Sequence, residues 1–345
     1  MIWLTWRQFR AQAVGAVAVL AAFAVLLAVT GPQLGGRYAA SGISGCTDGD
    51  CSGLATRFLD QVQADATDWT LYLLGIVVVL LAPAVIGIFW GAPLIAREIE
   101  AGTCHLAWNQ TITRTRWLAV KLTLTGLVAM AVAQALSLMQ ALWAAPISAA
   151  VQRGASLPIA NGQFDPLVFA SHGVAPLGYA AFAFALGVTA GLVTRRVVLA
   201  MAVTLAIFAA VQVATPLWVR PHLFPADRTI TALSSVSDIS YQSTPQGAFT
   251  FSARVLSSQP GAWVLSSRAV DAAGSPVSTA PAACMQAVLG ESGLDCLGSH
   301  GVRVAVTYQP ASRYWTFQWT ETAIYLALAL ALAGYCFWRL GRRLT

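Results

Sequence analysis

Hydrophobic and polar positions alternate along this chain in long blocks, not in the short periods of a soluble domain. No charge occurs from Leu71 to Ala96, and none from Leu122 to Gln152. Each of these runs exceeds the ~20 apolar residues needed to cross a bilayer core. Four more blocks of this kind predict a polytopic, all-α membrane protein with six spans, at about residues 13–29, 71–90, 122–143, 174–193, 197–217 and 322–338. Such runs are too long for soluble strands or core helices. The sixth block is short, with 17 charge-free residues. Trp315, Phe317 and Trp319 nonetheless suit an interfacial aromatic belt beside it.

Breaker residues give the connections. Gly31 and Pro32 are expected to end span one, with a loop from there to Asp68. Pro83 is expected to kink span two. Between spans four and five stand only Thr194, Arg195 and Arg196, which predicts a tight helical hairpin. Residues 218–318 form a polar excursion expected to be a small mixed α/β extracytosolic domain between spans five and six. There Phe249, Phe251, Ala253 and Val255 alternate with Thr250, Ser252 and Arg254, the pattern of a half-buried strand. AWVLSSRAV and VRVAVTY read as further strands, and Pro281 to Leu289 as a short helix with proline in its first turn.

Composition agrees with a membrane protein. The chain is 57% hydrophobic and 10% charged, against about 25% charged in soluble domains, and its mean hydropathy is +0.66. The net charge of +6 does not point to nucleic acid, because the basic residues sit at span ends and not in one patch. It does set an orientation. With both termini in the cytosol, that side carries eleven basic and two acidic residues and the other side nine arginines and twelve acidic residues, +9 against −3. This satisfies the positive-inside rule. Residues 1–12 are an amphipathic lead, in which Trp3, Trp6 and Phe9 can meet lipid while Arg7 and Arg10 stay among headgroups. The first apolar run is too long for a signal peptide and lacks a small-x-small cleavage site, so it is expected to be a retained span. The block organisation is then 1–12 lead, 13–217 spans one to five, 218–318 extracytosolic domain, and 319–345 span six with a basic cytosolic tail.

The polar stretch 91–121, GAPLIAREIEAGTCHLAWNQTITRTRWLAVK, is more organised than a connecting loop requires. Ala92 to Glu100 can prolong span two, and Gly102 can close that helix in a left-handed turn. Leu106, Trp108 and Ile112 among polar neighbours suit a short helix in the interface. The pattern R-E-x-E-x-G-T followed by T-R-x-R-W-x-x-x-K resembles the permease subunits of ABC type-2 exporters, especially actinobacterial ones. The matching residues are Arg97, Glu98, Glu100, Gly102, Thr103, Thr113, Arg114, Arg116, Trp117 and Lys121. The closing YQPASRYWTFQW of the extracytosolic region is similar to the same permeases. The resemblance implies a plasma-membrane subunit that forms the conduit as a homodimer or beside a second permease. It also implies a separate ABC ATPase docked on this loop, with Arg97, Glu98, Glu100, Gly102, Thr103, Arg114 and Arg116 as coupling residues. The N-terminal lead is then either a surface anchor or a connecting helix that touches the ATPase.

The chain holds no cofactor of its own in this reading. ATP would be used by the partner, since a phosphate-binding P-loop needs Gly-Lys-Ser/Thr and the single lysine, Lys121, stands between Val120 and Leu122. Neither a zinc-protease helix nor a G-x-S-x-G elbow is present, so no enzymatic activity is expected. No charged residue is committed to a span centre, where an ion-coupled carrier usually places one. The polar residues inside spans are Gln134, Ser137 and Gln140 on span three and Gln212 on span five. They can serve either interhelical hydrogen bonds or a substrate path. Gly87 with Gly91, and Gly187 with Gly191, are small-x-x-x-small pairs expected to pack within one subunit.

Cys46 and Cys51, and Cys284 and Cys296, are expected to form two local disulfides on the oxidising side. The rival is a metal site of Cys284, Cys296 and His300, for which a fourth ligand is missing. Cys104 and Cys336 read as small apolar residues. Two functions of other classes stay open on the sequence: a membrane-anchored sensor or immunity protein whose outer domain binds a ligand, and a polytopic membrane enzyme. The substrate, its direction of movement and the ligand of the outer domain are not written in these residues.

Overall fold

The computed structural model describes residues 2–46, 51–101, 113–155, 157, 162–256, 259–287 and 293–342. It is mostly helical, and six of its helices are long and apolar enough to cross a membrane. Span one is α1 (Ile2–Ala40), and α2 (Ser52–Ala64) follows it. Span two is α3 (Ala66–Ile86), a π-helical turn (Gly87–Gly91) and α4 (Ala92–Glu100) in one line. Span three is α5 (Arg114–Trp143), followed by the short α6 (Ala145–Gln152) and α7 (Pro166–Ser171). Spans four and five are α8 (Ala175–Thr194) and α9 (Val197–Ala214), and a π-helical turn (Thr215–Val219) extends the latter. Span six is α11 (Tyr314–Arg342).

Span four is the hub: 78% of its apolar window is buried, against 17% for spans one and five. Its small residues make this possible, because Ala180, Ala183, Gly187 and Gly191 let neighbours approach to backbone contact. The two glycine pairs face each other across spans two and four. A Cβ on Gly187 would stand 2.3 Å from the Gly87 carbonyl oxygen, and one on Gly91 2.5 Å from that of Phe184. Both pairs are thus used within the chain, as their spacing predicted. Meanwhile Val14, Val17, Val25, Val198 and Val213 stay exposed. An apolar surface of that extent is solvated by lipid, not water, and the chain is a multi-pass membrane protein.

Several local expectations change. Gly31 and Pro32 do not end span one: α1 runs through them for 39 residues, roughly 58 Å at 1.5 Å per residue. Its last turns are held by tertiary contacts that override the proline. Leu34 is fully buried beside Ile43 and Phe58, and Arg37 donates to Asp65 and Asp68 at 2.5 Å each. The expected loop to Asp68 therefore contains a helix, α2, whose Ala55, Phe58, Leu59 and Val62 are buried. Pro83 lies inside span two without ending it. Since proline offers no N–H to the preceding turn, the helical ladder resets just downstream, in the π-helical turn. The tight hairpin between spans four and five is present, with Arg195 in the left-handed region at φ 57°.

Residues 218–318 hold the sheets. β1 (Asp227–Ala232), β5 (Arg303–Gln309) and β4 (Trp263–Val270) form one antiparallel sheet in that order, and β2 (Val236–Ser243) pairs with β3 (Phe249–Leu256). β3, β4 and β5 stand where alternation placed them, while β1 and β2 lie in polar sequence without that signal. The helix expected at Pro281 to Leu289 is only a 3-10 turn at Ala282–Cys284, with residues 288–292 outside the described residues. The helix of this region is instead α10 (Gly293–Ser299). The β region docks on the bundle through aromatic rings: Trp263 stacks on Phe164 at 5.7 Å, and Phe224 meets Phe317 edge-on at 4.9 Å.

Candidate functional site

Two polar assemblies stand at opposite ends of the bundle. The first lies at the foot of span two, away from the sheets. Glu98 pairs with Lys121 at the head of span three, and the lysine side chain is 5% exposed. Its ammonium also sits over the Trp117 ring, 4.6 Å from the centroid. Glu100 accepts the Val197 N–H at 3.3 Å. That amide opens span five, where the first helical N–H groups lack internal partners and a carboxylate is favoured. Neighbouring carboxylates on one helix thus reach different spans, as their roughly 200° divergence requires. Glu98 thus tethers span two to the head of span three through Lys121.

Around this foot, Gln12 of span one donates to the Phe89 carbonyl at 3.1 Å, and Phe9 meets Trp90 edge-on at 5.0 Å. The N-terminal turns therefore pack on the π-helical turn of span two. A cleft of about 500 Å³ opens there between Phe9, Trp90, Pro93, Arg97, Glu98 and Lys121. Arg97 and Arg116 are exposed, and Thr113 caps span three by accepting the Arg116 N–H at 3.4 Å. Gly102 and Thr103, the helix end expected at Gly102, and the interfacial helix expected around Leu106, Trp108 and Ile112 lie outside the described residues, as does Cys104. Arg114 is placed in the backbone of α5.

The second assembly lies at the sheet end and was missed by sequence. Arg220 and Glu321, each 1% exposed, form a forked ion pair with bonds of 2.9 and 3.1 Å. The Tyr179 hydroxyl donates to the same carboxylate, and the Arg220 guanidinium lies 3.8 Å from the centre of the Phe169 ring. Tyr325 bonds Thr215 at 2.7 Å and Gln212 at 3.0 Å. One turn away, Gln318 closes the break between α7 and α8. Its carbonyl accepts the N–H groups of Val174 and Ala175, and its amide donates to the carbonyls of Phe169 and His172. Gln318, Glu321, Thr322 and Tyr325 recur at helical spacing, and that spacing was the legible signal.

The span-three residues meet this break. Gln134 donates to the Gly173 carbonyl at 3.0 Å, and Ser137 to those of Ser171 and Gly173 at 3.1 and 3.2 Å. Gln140 sits apart, fully buried against Gly75 and 3.5 Å from the Tyr72 carbonyl. Gln134, Ser137, Gln140 and Gln212 are thus all engaged between helices. Gln134 Oε1, His172 Nε2 and Arg220 Nη1 are buried there without a hydrogen-bond partner. His172 lies between spans, and burial holds its imidazole below the usual range and so neutral.

The sequence commits no charge to a span centre, but four charges are buried nearer the span ends. Lys121, Arg220, Glu321 and Asp68 are buried on span helices. Each has an opposite charge within an ion pair, so none is left as an uncompensated charge in the bundle. The sulfur pairs are joined as Cys46–Cys51 and Cys284–Cys296. Cys336 is buried and 3.3 Å from the Thr189 hydroxyl.

Six apolar helices, one of them buried among the others, form a membrane-embedded bundle with charges paired at both ends. Residues 17–220 match the family described as ABC-2 membrane transporter related, over more than half of the chain. The chain belongs to that family, whose members are the membrane components of transporters. The match runs from span one through the end of span five at Arg220 and stops short of the sheets. No curated protein and no solved structure matches the chain.

Proposed function

We propose that this chain is the permease subunit of an ABC exporter of the actinobacterial type, driven by a separate ATPase that docks on the loop after span two. The observation that carries the coupling is the double tether at the foot of that span. Glu98 is bound to span three and Glu100 to the first turn of span five. A partner pressing on exposed Arg97 and Arg116 would then move three spans together. The family match favours a permease over a sensor or a membrane enzyme, because it covers the spans and the tethered loop. In this reading ATP is bound and hydrolysed by the partner only, and the chain pairs with an identical or second permease.

The basic loop end faces the cytosol of the plasma membrane with both termini, and the β region, residues 218–318, faces outward with its disulfide and the Cys46–Cys51 pair. The coupling unit comprises Arg97, Glu98, Glu100, Gly102, Thr103, Arg114 and Arg116. The polar residues Gln134, Ser137, Gln140 and Gln212 line or steady the path, which would pass near the α7–α8 break.

The test is co-purification with a co-expressed ABC ATPase, followed by ATP hydrolysis in proteoliposomes. Glu98→Arg and Glu100→Arg should each uncouple hydrolysis or lose the ATPase at normal membrane abundance. The swap Glu98→Lys with Lys121→Glu should restore coupling, because it rebuilds the tether with reversed sign. Normal coupling in both single reversals and in the double reversal would remove this loop from the mechanism. Labelling of Ser275→Cys from the cytosolic side only would overturn the orientation.

A further inference from the structure

The β region holds a cluster that the transport reading does not use. Cys296 lies on α10 and His300 one helical turn later, where the His300 N–H still bonds the Cys296 carbonyl at 3.1 Å. The C-x-x-x-H spacing puts both side chains on one face. Cys284 approaches from the preceding 3-10 turn, so that His300 Nδ1 stands 3.3 Å from Cys284 Sγ and 3.8 Å from Cys296 Sγ. The three ligand atoms lie within 4.8 Å of one another. A tetrahedral zinc with bonds of about 2.3 Å to sulfur and about 2.0 Å to nitrogen holds its S and N ligands roughly 3.6 Å apart. The imidazole therefore already stands at the edge length of a zinc tetrahedron from both sulfurs, although a disulfide alone places no such demand on it.

We infer that Cys284, Cys296 and His300 are a redox-gated zinc site. The disulfide is its closed form, and reduction by a dithiol opens it. In that step the S–S bond takes two electrons and two protons from the dithiol, which itself becomes a disulfide. Zinc then displaces both thiol protons and binds two thiolates and the neutral imidazole through Nδ1, leaving a neutral site. The imidazole gives up its 3.0 Å contact with the Cys296 carbonyl and carries its proton on Nε2. Two thiolates and one imidazole are the borderline-soft set that suits zinc. Three protein ligands leave the fourth position to water, and His300 is exposed, so water and metal have access. Cys284 and Leu297 are fully buried in the core of the β region, so metal binding is felt by the packed sheet.

The test uses the full chain in detergent micelles, with Zn²⁺ alone as probe and a chromophoric chelator as competitor. The expected result is one zinc per chain after phosphine reduction and none before it. Cys46→Ser with Cys51→Ser should leave that stoichiometry unchanged. His300→Ala, a surface change that the fold tolerates, should weaken binding by more than the about 10–100-fold typical of an outer-shell partner. Bound zinc should also slow re-formation of the Cys284–Cys296 bond in air. No zinc above the oxidised level, equal affinity in His300→Ala, or loss of zinc with the other cysteine pair would each overturn the assignment.

Discussion

Gly187 offers the sharpest test of how the spans are packed. Alanine at this position puts a methyl carbon 2.3 Å from the Gly87 oxygen and 2.7 Å from the Ala92 nitrogen. Both are backbone atoms, so no rotamer change relieves the clash. Ordinary contact begins near 3.4 Å, and relief needs spans two and four to part by about 1 Å. A gap of that size forfeits a quarter to a half of each dispersion contact along the seam. The cost then sits near the top of the ~1–3 kcal/mol range for overpacking, a fall of roughly 4 °C in melting temperature for a chain of this length. The assay is thermal unfolding in detergent, followed by loss of the monodisperse peak. Gly91→Ala should behave alike, while Gly334→Ala on span six, which meets nothing within 4 Å, should not lower the transition. Wild-type melting of both seam variants would refute the backbone contact. A change in oligomeric size with no loss of stability would place the seam between two copies instead.

Two further outcomes follow from buried charge. Glu321→Gln leaves Arg220 buried without a counter-charge and should cost about 3–5 kcal/mol. The paired change Arg220→Gln with Glu321→Gln should recover part of that loss in the same melting assay, and equal melting of the single and double variants would deny the coupling. Burial lowers the His172 pKa, so as pH falls the unfolded chain takes up the proton first, near its ordinary pKa of about 6.5. Stability should therefore decline as pH drops below that value and level off beneath the lowered native value. His172→Gln should flatten this part of the pH–melting profile, and an unchanged slope would exclude His172 as its source.

The blocks of apolar sequence were enough to place six spans and the β region, because a bilayer core demands long uncharged runs whatever the neighbours are. The short hairpin at Thr194, Arg195 and Arg196 was equally plain, since so few residues allow only a tight reversal. The facing of Gly87 and Gly91 with Gly187 and Gly191 was legible as small-residue spacing, but not which pair met which. Helix α2 was legible in principle, through Ala55, Phe58, Leu59 and Val62 at helical spacing.

What only the tertiary structure decided lies where a contact overrides a local rule. Pro32 reads as a stop, yet Arg37 with Asp65 and Asp68 carries α1 past it. Lys121, Arg220 and Glu321 stand just outside the spans that the apolar blocks mark out. Their burial depends on partners distant in sequence, since Arg220 and Glu321 are 101 residues apart. A charge enters a low-dielectric interior only when its counter-charge is already there, and a linear pattern records each charge without its partner. The strands β1 and β2 went unread for the same reason: their polar residues are ordered by the strands they pair with, not by an alternation of their own.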